Sequence, residues 1–115
     1  MDTHIRENLA KVLKALSDVN RLNIVMSIDK KALSVSEIIK ATGLSQTLVS
    51  FHLRALREAN IVTTERNGPF IYYSLSDRAL NKTLMTLAKS AHSKESAAKE
   101  KIIAMPVNRL EKQRR

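Results

Sequence analysis

Over the first sixteen positions the apolar residues Ile5, Leu9, Val12, Leu13 and Leu16 recur at helical spacing, one apolar stripe on a polar helix. Ser17 or Asp18 can cap a second, short helix over residues 21–28 (RLNIVMSI), which is apolar nearly all round and therefore expected at the centre of the fold. Ser34-Val35-Ser36-Glu37 is a capping box: the Ser34 hydroxyl can accept from the Glu37 amide while the Glu37 carboxylate reaches back. It starts a third helix through Ile38 and Ile39, which Gly43 should end in a left-handed conformation. Ser45 caps a fourth helix to about Ala59, with Asn60 as a left-handed stop. After Asn60 the period shortens to two. IVTTER and FIYYSL are β-branched and aromatic runs separated by Asn67-Gly68-Pro69, which predicts a β-hairpin with Pro69 in the turn or at a strand edge. Phe70 and Tyr72 then share one face of the second strand, and Ile71, Tyr73 and Leu75 the other. Ser76 and Asp77 open a last helix with Leu80, Thr83, Leu84, Leu87, Ala88 and Ala91 on one side. The expected fold is mainly α with one hairpin.

Residues 34–59 hold the informative pair of helices. Only Thr42-Gly43-Leu44-Ser45 joins them, too short for antiparallel packing, so the helices must cross steeply as in a helix-turn-helix. In the second helix Val49, Leu53 and Leu56 face inward, leaving Gln46, Thr47, Ser50, Phe51 and Arg54 outward. Small hydrogen-bonding side chains near a helix N-terminus, with an Arg further on, suit a helix entering a DNA major groove end-first. Ser45, Thr47 and the open backbone amides can position phosphates; Gln46 and Arg54 can read base edges. Phe51 is apolar yet outward, and can meet thymine methyl groups. Taken singly, each of these residues also fits an ordinary solvated helix face. Arg66, beside the Asn67-Gly68 tip, can reach a neighbouring minor groove or the sugar–phosphate backbone.

Charge strengthens this picture. The 115 residues carry 20 Lys and Arg against 11 Asp and Glu, a formal net charge of +9. The excess rises along the chain, from nine basic and six acidic groups in residues 1–60 to eleven and five in residues 61–115. Such a balance favours a polyanionic partner. There is no Cys, so disulfides, thiol nucleophiles and thiolate metal sites are excluded. The longest apolar runs fall far short of the roughly 20 residues needed to span a membrane, and MDTHIREN does not read as a secretory signal, so a cytoplasmic protein is expected. No nucleophile–base pair, phosphate loop or complete metal set points to an enzyme.

Three stretches, LKALSDVNRLNIVMSI, LSVSEIIKATGLSQTLVSFHLRALREANIV and TTERNGPFIYYSLSD, together resemble the ArsR/SmtB family of winged-helix repressors over roughly residues 8–91. The matching motifs are D-x-x-R at Asp18 to Arg21, S-Q-x-x-V-S-x-H-L at Ser45 to Leu53, and a wing ending Y-Y-S-L. The resemblance implies a winged helix-turn-helix homodimer, joined through its first and last helices, that binds double-stranded DNA at an inverted repeat and is released by an effector. The effector's identity is left open by the residues. Leu9, Val12, Leu16, Leu80, Leu84, Leu87 and Ala91 are the expected interface residues, and a small chain with two amphipathic terminal helices has little core of its own to cover them.

The family's metal sensors use cysteines or paired carboxylate and imidazole ligands on the last helix. Here His92 and Glu95 form an H-x-x-E pair, but their expected companions are Ala79 and Asn81, and His4 is the one remaining candidate ligand; no metal and no cofactor are expected. His52 resembles the family histidine that packs beside the core, and Asp18 with Arg21 reads as a cap plus an i,i+3 ion pair. Leu48 and Phe51 stand where relatives often carry polar or basic groups, which favours the alternative of a protein-binding module without operator recognition. The expected organisation is a DNA-binding and dimerisation domain over residues 1–92, then a basic extension over residues 93–115, helical to about 105 and disordered after it.

Overall fold

A computed structural model describes residues 1–103, with side chains to His92; the expectations for residues 104–115 and for the Glu95 side chain lie outside the described residues. The described elements run α1 (Thr3–Leu16), α2 (Val19–Ser27), β1 (Leu33–Ser34), α3 (Val35–Thr42), α4 (Gln46–Glu58), β2 (Val62–Asn67), β3 (Phe70–Leu75) and α5 (Leu80–Ile103).

Capping fixes the helix starts. Asp2 accepts from the His4 and Ile5 amides at 2.7 and 3.1 Å, and Asp18 from those of Asn20 and Arg21 at 2.9 and 3.0 Å. The Ser34–Glu37 capping box closes in both directions, at 3.2 and 3.0 Å, and Ser45 accepts from the Leu48 amide at 3.2 Å. Gly43 ends α3 at φ 75°, and Asn60 follows α4 at φ 60°.

Ile24, Val25, Ile28, Ile38, Val49, Leu53, Leu56 and Val62 are almost wholly enclosed, so α2, α3, α4 and the base of the hairpin share one core. The α2 segment is less central than its composition suggests. Leu22 and Met26 remain about two-fifths exposed, and burial falls on the single face carrying Ile24, Val25 and Ile28. Leu16, expected at a dimer interface, is 6 % exposed and belongs to the chain's own core.

The hairpin turns through Gly68-Pro69, with Asn67 opposite Phe70. Gly68 has φ 63°, as the first central position of a tight hairpin loop requires, and Pro69 sits where no ladder donor is needed. Phe70 and Tyr72 share a face, their rings meeting edge-on at 6.4 Å. The sequence pattern does not reveal β1. This two-residue strand pairs Leu33 with Tyr73 and Ser34 with Tyr72, making a three-stranded antiparallel sheet in the order β1-β3-β2. The hairpin is thereby tied to the start of α3. The last helix begins at Leu80, later than Ser76 and Asp77 suggest, because Asp77 first closes a turn through the Ala79 and Leu80 amides.

The residues Met1–Asn81 form one compact unit and a second begins at Lys82. Within the first, buried Asn81 donates its amide to the Val25 and Ile28 carbonyls at 3.2 and 3.4 Å, tying the end of α2. Along the second, Leu84 is half-buried, whereas Met85, Leu87 and Ala91 are exposed.

Candidate nucleic-acid interface

The turn between α3 and α4 is pinned from three sides. The Gly43 amide donates to Ile39 O at 2.8 Å, and the Thr42 hydroxyl donates to Ile38 O at 2.8 Å while accepting from the Leu44 amide at 3.3 Å. From α2, Asn23 donates its side-chain amide to Thr42 O at 3.4 Å. Asn23 has no signature in the sequence, since its partner lies nineteen positions away.

On α4 the two faces separate as expected. Val49, Leu53 and Leu56 are enclosed; Gln46, Thr47, Ser50, Phe51 and Arg54 are exposed. Ser45 is the cap itself, its hydroxyl oxygen occupied by the Leu48 amide, so toward a phosphate it can offer only its proton. The Gln46 and Thr47 amides lie in the first helical turn, where no intrahelical acceptor exists, and they favour an anion. Arg54 donates from Nε to Glu58 at 3.3 Å, a pair so exposed that it adds little to stability. It occupies one edge of the guanidinium and leaves the remaining donors for another acceptor. Phe51 is 62 % exposed and Leu48, one turn earlier, 41 %.

His52 lies behind this surface. It is buried, and its Nδ1 accepts from Arg21 Nε at 3.2 Å; a second guanidinium nitrogen of Arg21 donates to Ala15 O at 3.3 Å. His52 Nε2 stands 3.9 Å from the Asp18 carboxylate. Arg21 therefore spends its donors on His52 and Ala15 and makes no i,i+3 ion pair with Asp18. Asp18 is held below its ordinary range first by the Arg21 backbone amide, a lowering that burial, the next largest influence, opposes; the Asn20 amide and then attraction from the His52 and Arg21 side chains add to it. The network links α1, α2 and α4. His52 packs beside the core as the resemblance implies.

The hairpin supplies the other part of the surface. Arg66 and Asn67 are exposed next to the turn. With Lys31, Ala32, Glu65 and Tyr72 they line an open hollow of about 460 Å³. Lys31, on the approach to β1, thus lines the same hollow as Arg66.

His4 Nε2 lies 3.4 Å from the Asn8 side-chain amide, and among the described residues no group of three or more His, Asp and Glu side chains is placed to hold a metal ion. Nor is any helix among them long and apolar enough to cross a membrane.

A helix-turn-helix followed by a hairpin on the same compact unit defines a winged helix-turn-helix architecture. The model for "Bacterial regulatory protein, arsR family" matches residues 18–64. The chain is 37 % identical over 95 residues to the nodulation protein NolR of Rhizobium meliloti, covering 83 % of this chain and 78 % of that one. It is 34 % identical over 93 residues to the HTH-type transcriptional repressor SmtB of Mycobacterium tuberculosis, covering 81 % and 67 %. Among solved structures, the homodimeric winged helix-turn-helix DNA-binding domain of a possible ArsR-family regulator from Mycobacterium bovis superposes with a TM-score of 0.68 at 28 % identity, over 80 % of this chain and 87 % of that one. The chain belongs to the arsR family of bacterial regulatory proteins.

Proposed function

We propose that this regulator is a cytoplasmic homodimeric repressor that binds an inverted-repeat operator and places one α4 helix in each of two successive major grooves. The observation that carries the reading is the outward face of α4, where Gln46, Thr47, Ser50 and Arg54 are all exposed above a fully buried stripe. In this reading Ser45, Thr47 and the first-turn amides hold phosphates, Gln46 and Arg54 meet base edges, and Arg66 and Asn67 follow the flanking backbone or minor groove. Residues 1–92 bind DNA and dimerise, and residues 93–115 add basic charge.

Dimerisation is supported by α1. Ile5, Leu9 and Leu13, at 54, 43 and 50 % exposure, repeat every fourth residue, with half-buried Val12 beside them. Leu80, Leu84, Leu87 and Ala91 give α5 a stripe of the same kind. Fully burying a side chain of this size is worth about 1.5–3 kcal/mol, so a handful of half-exposed ones on each chain can outweigh the cost of association. Two-fold symmetry then sets the two α4 helices about 34 Å apart, one duplex turn.

Titrating operator binding against salt tests the reading. A dimer that neutralises about six phosphates loses affinity with a log–log slope near −5, and Arg54→Ala weakens operator binding by about 1–3 kcal/mol more than random-duplex binding. Equal affinity for operator and random duplex, or no binding at low salt, would overturn it.

A further inference from the structure

The two exposed apolar residues of α4, Leu48 and Phe51, are unexplained by a purely polar account of this helix. Three residues apart, they are neighbours on one face, surrounded by Gln46, Thr47, Ser50 and Arg54. The Phe51 ring has an aromatic neighbour. It meets the His52 ring edge-on, centroids 5.2 Å apart at 74°, and His52 is itself fastened by Arg21. One edge of the ring is thus backed by a tethered neighbour while 62 % of the residue stays open to a partner.

Size decides what it contacts. A specific protein partner needs about 800 Å² on each side, far more than two partly exposed side chains amid polar groups supply. The major groove instead offers one apolar group on its base edges, the 5-methyl of thymine. The geometry points to Leu48 and Phe51 as specificity-determining residues that read thymine methyl groups within each half-site, so that the operator is chosen partly by an apolar contact. This rests on the proposed placement of α4 in the major groove and names the chemistry it reads there.

The test uses the full-length protein and the duplex it enriches most strongly from a randomised pool. Thymines in the enriched half-sites are replaced singly by deoxyuridine, which removes the methyl and leaves the pairing edge intact. At the contacted positions each replacement should weaken binding about fourfold, the worth of one buried methyl group. Phe51→Ala, at a surface position where folding is untouched, should weaken binding to the thymine duplex about fivefold to thirtyfold and abolish the deoxyuridine penalty. Unchanged melting of the variant verifies the fold. Equal binding of thymine and deoxyuridine duplexes by the native protein overturns the inference, as does a penalty that survives in both Phe51→Ala and Leu48→Ala. Enrichment of no sequence at all overturns the operator reading itself, a separate and visible failure.

Discussion

Helices α1 and α4 are alike in length and amphipathic pattern, yet their apolar stripes meet different fates. In α4 the stripe of Val49, Leu53 and Leu56 is closed off within the chain, and what faces outward is polar save for Leu48 and Phe51. In α1 only Ala15 and Leu16, at its end, are buried, while Ile5, Leu9 and Leu13 stay half-exposed. The same periodicity therefore does two jobs. One helix has its apolar stripe closed off by its own fold; the other keeps a half-exposed stripe, the face that the proposed dimer would cover.

The contrast can be broken at its strongest point first. Leu53→Ala removes an enclosed side chain and should cost about 2–5 kcal/mol of stability in urea unfolding, with DNA binding lost through unfolding. A cost below about 0.5 kcal/mol, typical of surface substitutions, would refute the burial described for α4. Leu9→Glu combined with Leu13→Glu should instead leave the helical circular dichroism intact and shift sedimentation from dimer to protomer. Persistence of the dimer at the same concentration would remove α1 from the interface.

The smallest effect concerns the caps. Glu37 is held below its ordinary range, first by the Ser34 backbone amide and then by the Ser34 hydroxyl, and Asp18 is lowered by the amides it caps. Carboxylates with depressed folded pKa values contribute their stabilisation fully above the unfolded value and lose it as pH falls through the folded one. The urea midpoint should thus be level near neutrality and decline as pH drops through and below the ordinary carboxylate range, and Glu37→Gln should make that decline shallower. An unaltered acid limb in the variant would show that the capping box carries none of it.

Local signals were the legible ones. The capping box at Ser34, the left-handed Gly43 and the outward placement of Phe51 follow from neighbours within one or two turns, and each is found where the pattern puts it. Most of what escaped depends on partners far along the chain. Asn23 reaches Thr42, Asn81 reaches Val25 and Ile28, and Arg21 turns from Asp18 to His52, thirty-one residues away. Strand β1 escaped for another reason: two residues are too few to display alternation, and only Tyr72 and Tyr73 across the ladder make them a strand. Leu16 lies in the chain's own core rather than at an interface because periodicity records which side of a helix is greasy, not what covers it.

The bond from Arg21 to His52 has a chemical corollary. A guanidinium carries no lone pair to share, so Nδ1 of the imidazole must be the accepting nitrogen, which leaves Nε2 as the one turned toward Asp18. A side chain without an acceptor at that place would release the Arg21 Nε and loosen the joint that holds α1, α2 and α4 together beneath the exposed face of α4.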